Sequence, residues 1–239
     1  MNPEDGQQLI CDLELAFRGV HLSDHDAVVI ADLHLGRGFS AGVEVPSGAM
    51  GNVESRLTNV LSYFEPQTVI LAGDVLDAFD TVPPGVQDQL DALIDLIQDS
   101  GSIPRLLSGN HDTMLSALIE QPIDAYLEMG DTLIAHGHEP LPDDFARYVI
   151  GHHHPCLQIE GVKHPAYLLG RLRCGADLIV LPAFSDSLRG TKMNAQTLSA
   201  IEEPLLTDAD CSSLWPVVLD PTGNDPLAFP TFEKLRHFL

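Results

Sequence analysis

Residues 69–77, Val-Ile-Leu-Ala-Gly-Asp-Val-Leu-Asp, read as a buried strand that ends at a glycine and hands over an acid. Val69 to Ala72 form an unbroken apolar run that reads as a strand. Gly73 then turns the chain, so that Asp74 emerges at the strand's carboxyl end, with Asp77 three residues on. The same order recurs on either side: Val28-Val29-Ile30 precedes Asp32-Leu33-His34, and Leu133-Ile134 precedes His136-Gly137-His138. Gly109-Asn110-His111-Asp112 and Gly151-His152-His153-His154 bring the clusters to five, each supplying oxygen or imidazole donors.

The segments between the first strands are helical. Val53, Leu57, Val60, Leu61 and Phe64 recur at helical spacing and are followed by Pro66; Leu90, Leu93, Ile94 and Ile97 do the same and are followed by Gly101. A β-α-β-α rhythm therefore runs from Ala27 to about Leu107, and a further short helix is expected through Leu115 and Leu118 to Gln121, before Pro122. Beyond Gly130 the helical stripe disappears. Residues 132–135, 147–150, 167–169 and 178–181 read as successive short strands, which argues for a second sheet. The expected fold is α/β: a four-layer α/β/β/α sandwich of two mixed sheets flanked by helices. We expect a single domain over 1–239, with a motif core at 27–192 and a C-terminal extension at 193–239 that carries no chemical motif and closes with a short helix from Phe232.

Taken singly, each cluster is ordinary turn chemistry, since Asp after Gly is common in turns. Their joint occurrence at strand-to-loop transitions is what points to a metal site. In an open α/β sheet such groups collect beyond the carboxyl ends of the strands. Residues two apart on an extended segment point the same way, so Asp32 with His34, and His152 with His154, can each present two donors to one cavity while His153 faces elsewhere. Two divalent cations roughly 3.5–4 Å apart can hold a hydroxide and clamp a phosphoryl oxygen if one carboxylate bridges them, and Asp74 is the natural bridge. Carboxylate, amide and imidazole without thiolate favour Mn²⁺, while Fe, Zn, Ni or Co fit the same donors. Asp77 is better placed to orient a histidine than to be a ligand. Both His136 and His138 are open as donors from their cluster, and His21, His25, His164 and His237 match none of the clusters.

The order D-x-H, G-D-x-x-D, G-N-H-D, H-G, G-H-x-H from Asp32 to His154 resembles the calcineurin-like metallophosphoesterases. The resemblance implies that Asp32, His34, Asp74 and His154 hold one metal, that Asp74, Asn110, His136 and His152 hold a second, and that His111 is the general acid oriented by Asp112. It chooses His136 over His138. Phe184-Ser185 and Gly190-Thr191, after a strand, look like the archaeal branch related to the double-strand-break-repair nucleases.

Composition adds an environment. A hydrophobic share of 44% with 20% charged residues is that of an ordinary folded chain, but Lys+Arg 12 against Asp+Glu 35 gives a net charge of −23, and the only lysines are Lys163, Lys192 and Lys234. Such a surface is expected where molar salt shortens the Debye length to about 3 Å, so a salt-loving source is anticipated. The first residues have no basic region followed by an apolar stretch, and no apolar run approaches the roughly 20 residues of a membrane span, so a cytoplasmic protein without a membrane partner is expected. Cys11, Cys156, Cys174 and Cys211 form no C-x-x-C pair and read as small apolar fillers, with Cys156 close to His154.

Three functions fit. The first is a phosphoesterase acting on a small phosphodiester or phosphomonoester such as a cyclic nucleotide. The second is a nuclease, for which nucleic acid is the partner and Arg37, Arg171, Arg173 and Arg189 are the candidate basic rim. The third is a non-catalytic binding domain, disfavoured because the ligand set is complete and His111 and Asp112 accompany it. Few cations argue for the small ester, since nucleic-acid affinity comes chiefly from Lys and Arg on phosphates.

Overall fold

The computed structural model describes residues 13–37, 48–188, 190–193, 209, 214–220 and 222–235. Its first sheet has the order β1 (Glu14–Ala16), β2 (Gly19–Leu22), β3 (Ala27–Ile30), β4 (Thr68–Ala72), β5 (Ile103–Leu107), β6 (Ile123–Asp124). From β3 to β6 the pairing is parallel, with α1 (Gly48–Phe64) joining β3 to β4 and α2 (Val86–Asp99) joining β4 to β5. The antiparallel β1–β2 hairpin completes one edge.

The second sheet is built from β7 (Tyr126–Met129), β8 (Thr132–Ala135), β9 (Arg147–Ile150), β10 (Pro155–Ile159), β11 (Val162–Arg171), β12 (Asp177–Val180) and β13 (Thr191–Lys192) in the order β13-β10-β11-β12-β9-β8-β7. Beside it β11 also pairs with β14 (Trp215–Leu219), which pairs in turn with β15 (Pro226–Ala228). Strands β8, β9 and β12 are mutually parallel, so both sheets are mixed.

The unbroken apolar runs follow from this layering. Along β3 and β4, Val28, Ile30, Val69 and Leu71 pack under the helices, whereas Ala27, Val29, Ile70 and Ala72 face the second sheet. In the second sheet Ile134, Val149, Leu169 and Ile179 face the first, and Leu133, Ile150, Leu168 and Leu178 face outward. Each strand is therefore buried on two sides, and period-two alternation has nothing polar to display. Tyr167 lies wholly buried between the sheets, its hydroxyl donating to Gly19 O at 2.9 Å.

The helices sit as their stripes require: Val53, Leu57, Val60 and Leu61 of α1, with Leu90, Leu93, Ile94 and Ile97 of α2, all enter the core against the first sheet. On the far side of the second sheet, among the described residues, the helical cover is the single turn α3 (Phe232–Leu235), whose Phe232 and Leu235 are buried there. The short helix expected as far as Gln121 is one 3₁₀ turn, Leu115–Ala117, because the chain must reach β6 at Ile123 within a few residues. Among the described residues no helix is long and apolar enough to cross a membrane.

Candidate metal centre

Strands β3 and β4 of the first sheet and β8 and β9 of the second deliver their following loops to one place. His152 N donates to both carboxylate oxygens of Asp32 at 3.2 and 3.0 Å, which joins the two sheets at the site. Beyond the strands, Asp32 N donates to Gly73 O (3.1 Å), His34 N to Asp74 O (2.9 Å) and Asp77 N to Leu35 O (2.9 Å), so the two loops run side by side. Their backbone is not extended, as simple alternation would have it. Asp32, His34, Asp74, His152 and His154 have φ of 61°, 47°, 50°, 68° and 44°. For residues other than glycine this left-handed region costs roughly 1–3 kcal/mol each and persists where the surroundings over-determine it. The side chains still converge, through turns.

Two glycines of the motifs are fixed by close approach. A Cβ on Gly109 would lie 2.2 Å from Asp74 N and Oδ1, and one on Gly73, at φ 80°, would lie 2.6 Å from the His136 side chain. Substitution at either would push the acid or the imidazole out of place.

Four side chains, Asp32, His34, Asp74 and His154, bring one donor atom each into a group that could hold a cation. Within it Asp32 Oδ1 is 3.0 Å from His154 Nε2, and His34 Nε2 is 3.3 Å from Asp74 Oδ2 and 3.4 Å from His154 Nε2. Asp74, His136 and His152 make a second such group. There His136 Nε2 is 3.3 Å from Asp74 Oδ1, 3.1 Å from Asn110 Oδ1 and 3.2 Å from His152 Nδ1. Asp74 thus turns one oxygen to each group.

The protonation chemistry shows what these groups lack. Burial alone would push the Asp74 carboxyl up, but the hydrogen bond and charge of His136 outweigh it and hold the group well below the usual carboxylate range. Burial opposes a charge on His136 too, yet Asp74 and Asp32 draw its imidazole upward. Burial is also the main reason His34 is lowered to about 4. Without metal, a proton between His136 and Asp74 supplies the positive charge that the acceptors demand. His136 Nδ1 faces Ala72 O at 3.1 Å, and donation to that carbonyl would leave Nε2 for the cluster. The donor set fits divalent cations.

A third group consists of His34, Asp77 and His111. Asp77 Oδ1 is 2.8 Å from His111 Nδ1 and 3.8 Å from His34 Nδ1, so Asp77 orients His111. This corrects the expectation for Asp112. Its Oδ1 accepts from Leu76 N at 2.7 Å and its Oδ2 from Gly109 N at 2.9 Å, which ties the G-N-H-D turn to the G-D-x-x-D loop. Burial is the chief cause that raises the Asp112 carboxyl to about 6, against the pull of the Leu76 amide. Asp112→Asn should lower stability by about 1–3 kcal/mol, because an amide cannot accept from both N–H groups. The sign of the pH effect follows: a carboxyl raised in the folded state contributes stability at low pH that is lost as pH rises from about 4 to 6. In thermal melts of metal-free protein, that part of the decline should be absent from Asp112→Asn; identical melts of the two would show that Asp112 ties nothing.

His138 belongs to none of the three donor groups, its ring lying 5.2 Å from that of His136, so the geometry places His136 in the cluster. His153 also lies outside them. It is buried against His152, and burial with the charge of that neighbour lowers it to about 3, leaving it neutral. Of the expected basic rim, Arg171 lies away from the site, since it pairs in register with Asp177 while the site lies beyond Val180 at the other end of β12; Arg37 follows His34, to whose carbonyl its N–H donates at 3.3 Å. Arg189 lies outside the described residues.

Sequence reasoning missed Arg18 and Arg56. Arg18 Nη1 donates to Ala183 O at 3.0 Å and to Ser185 O at 3.3 Å, while Arg56 Nη2 donates to Asp186 Oδ2 at 2.8 Å and its Nη1 to Phe184 O. Both arginines and Asp186 are paired, and together they clamp the 183–186 loop, whose Phe184 N donates to Ala31 O and Ser185 N to Asp32 O. The only local signal was Phe17-Arg18-Gly19 as a turn, with Phe17 and Arg18 at φ 49° and 65°.

No protein-family model matches the chain, and none of the curated proteins is similar to it in sequence. Solved structures are similar to it. The nuclease MPE of Pseudomonas putida superposes with a TM-score of 0.63 at 19% identity, covering 90% of this chain and 94% of the nuclease. YfcE, a phosphoesterase from E. coli, gives a TM-score of 0.41 at 15% identity over 82% of this chain and 88% of its own. A conserved protein of Streptococcus pneumoniae, described as a predicted phosphoesterase, gives 0.35 at 14% identity over 85% and 96%. The first of these shows that the architecture is the two-sheet α/β sandwich of the calcineurin-like phosphoesterases.

Proposed function

We propose that this chain is a metal-dependent phosphoesterase that hydrolyses phosphodiesters at a two-ion site. The observation that carries the reading is Asp74, whose two oxygens face two separate donor groups. Asp32, His34, Asp74 and His154 would hold one ion, and Asp74, Asn110, His136 and His152 the other. When bound, the two ions supply an activated water and charge against the phosphoryl oxygens. Mn²⁺ suits the mixed set best, and Fe, Zn, Ni or Co would fit it.

The chain's own residues do the rest. Asn110 sets its carbonyl oxygen beside His136 and leaves its amide to donate to a phosphoryl oxygen. His111, held at Nδ1 by Asp77, keeps Nε2 to give a proton to the leaving oxygen. Asp112 and the Arg18–Arg56–Asp186 clamp position the loops on either side. A binding domain without catalysis would not need so complete an arrangement.

A small diester such as a cyclic nucleotide is the first substrate class. A nuclease is the second reading, supported by the nuclease of the same fold and by the placing of Phe184-Ser185 and Gly190-Thr191, which look like the archaeal repair-nuclease branch. With Mn²⁺ at moderate and molar salt, we expect turnover of cyclic mononucleotides and bis-aryl phosphates. Efficient DNA degradation with little action on small diesters would make the nuclease reading the correct one, and no hydrolysis of any ester would return the fold to a binding role. The acidic surface of a salt-adapted protein predicts a higher melting temperature in molar KCl, and full stability in dilute buffer would contradict that adaptation.

A further inference from the structure

A groove of about 520 Å³ opens directly beside His154 and runs along β10 and β11 to Lys163. Its floor is set by strand register. Cys156 pairs with Lys192 of β13, and Gln158, two residues on and so on the same face, pairs with Lys163 of β11. Lys163 is exposed and spends one proton on Gly190 O at 2.7 Å, leaving two to donate. Arg18 lies on the opposite wall, and the carboxylate there, Asp186, is neutralised by Arg18 and Arg56.

This placement is at odds with the chain's composition. Only three lysines stand against 35 acids; one of them, Lys163, lines a groove that begins at a candidate metal ligand, and a second, Lys192, pairs in register with Cys156 of the same groove. A surface of net charge −23 repels a polyanion, so cations gathered at one point have a local effect that scattered ones would not. We propose that this groove is a subsite for the phosphate flanking the scissile one, so that an oligonucleotide, the substrate of the second reading above, is held more tightly than a small diester, with Lys163 and Lys192 on the flanking phosphate. The proposal rests on the phosphoesterase reading and deepens it.

The test compares the parent with Lys163→Ala, Lys192→Ala and the double substitution, with Lys163→Arg as the conservative variant. The substrates are bis(p-nitrophenyl) phosphate, thymidine dinucleotide and single-stranded oligothymidylate, all with Mn²⁺. The loss should grow with the number of phosphates, reaching on the order of tenfold in KM for the oligothymidylate in the double variant, and the arginine should restore it. The salt dependence of that KM should become shallower by about 0.7 in logarithmic slope for each phosphate that a lysine no longer neutralises. Anisotropy of labelled oligothymidylate without added metal reads the subsite apart from turnover, and should show a weakening of similar size. An unchanged affinity, or equal losses on all three substrates, would overturn the subsite. Absence of any turnover in the parent, with the anisotropy difference retained, would overturn the phosphoesterase reading and keep the subsite.

Discussion

Asp74→Asn should abolish turnover and release metal from both groups together. The substitution keeps the size of the side chain and removes the charge that faces two donor groups at once. Residues one layer behind a metal typically cost 10–100-fold in affinity or rate, so loss of the shared carboxylate should cost on the order of 10³-fold or more. The one oxygen an amide keeps cannot both face the first group and accept from His111 N, which donates to Oδ1 at 2.9 Å, so the G-N-H-D turn competes with the metal-facing side for it. Metal content and rate should therefore fall in parallel, whereas Asp32→Asn should spare more of the second group. Asp74→Asn protein that retains one full equivalent of metal and measurable rate would show that the two groups are not joined through this residue.

His111→Ala should separate esters by their leaving group. A general acid contributes about 10²–10⁴-fold when the departing oxygen is strongly basic and far less when the anion is already stable. The loss should therefore be large on a nucleotide ester, which releases an alkoxide, and small on a nitrophenyl ester, with bound metal unchanged. Because Asp77 Oδ1 sits 2.8 Å from His111 Nδ1, Asp77→Asn should give a weaker version of the same pattern. Asp112→Asn should instead lower stability, since Asp112 accepts from backbone amides and not from the ring. Steady-state kinetics on matched esters checks this. Equal losses on both, or loss of metal with the rate, would mean that His111 is structural or a ligand.

The fold was legible where burial dictates composition. Val28 to Ile30, Val69 to Ala72 and Leu133 to Ala135 are apolar because two layers cover them, and a run of that kind reads from sequence without help. The hairpin Glu14–Leu22 and β14 were not legible, because such short strands are specified by what they pair with and not by their own pattern. At the site, donor identity was readable but partnership was not. That Asp77, and not Asp112, faces His111 depends on how two loops lie side by side, and the two acids are 35 positions apart in the chain. The left-handed turns at Asp32, His34, His152 and His154 have no composition signal either, since they are imposed by contacts between the loops. The groove beside His154 was hidden for the same reason. Lys163 and Lys192 are far apart in sequence and come to the two sides of β10 only through its register with β11 and β13.

Two cations sharing Asp74 are the centre of the proposed chemistry, and anomalous diffraction from Mn²⁺-soaked crystals tests their presence most directly. Two peaks roughly 3.5–4 Å apart are predicted, one bounded by Asp32, His34 and His154, the other by Asn110, His136 and His152, with a carboxylate oxygen of Asp74 on each. A single peak, or a peak held by Asp77 and His111 with none at His136, would contradict it.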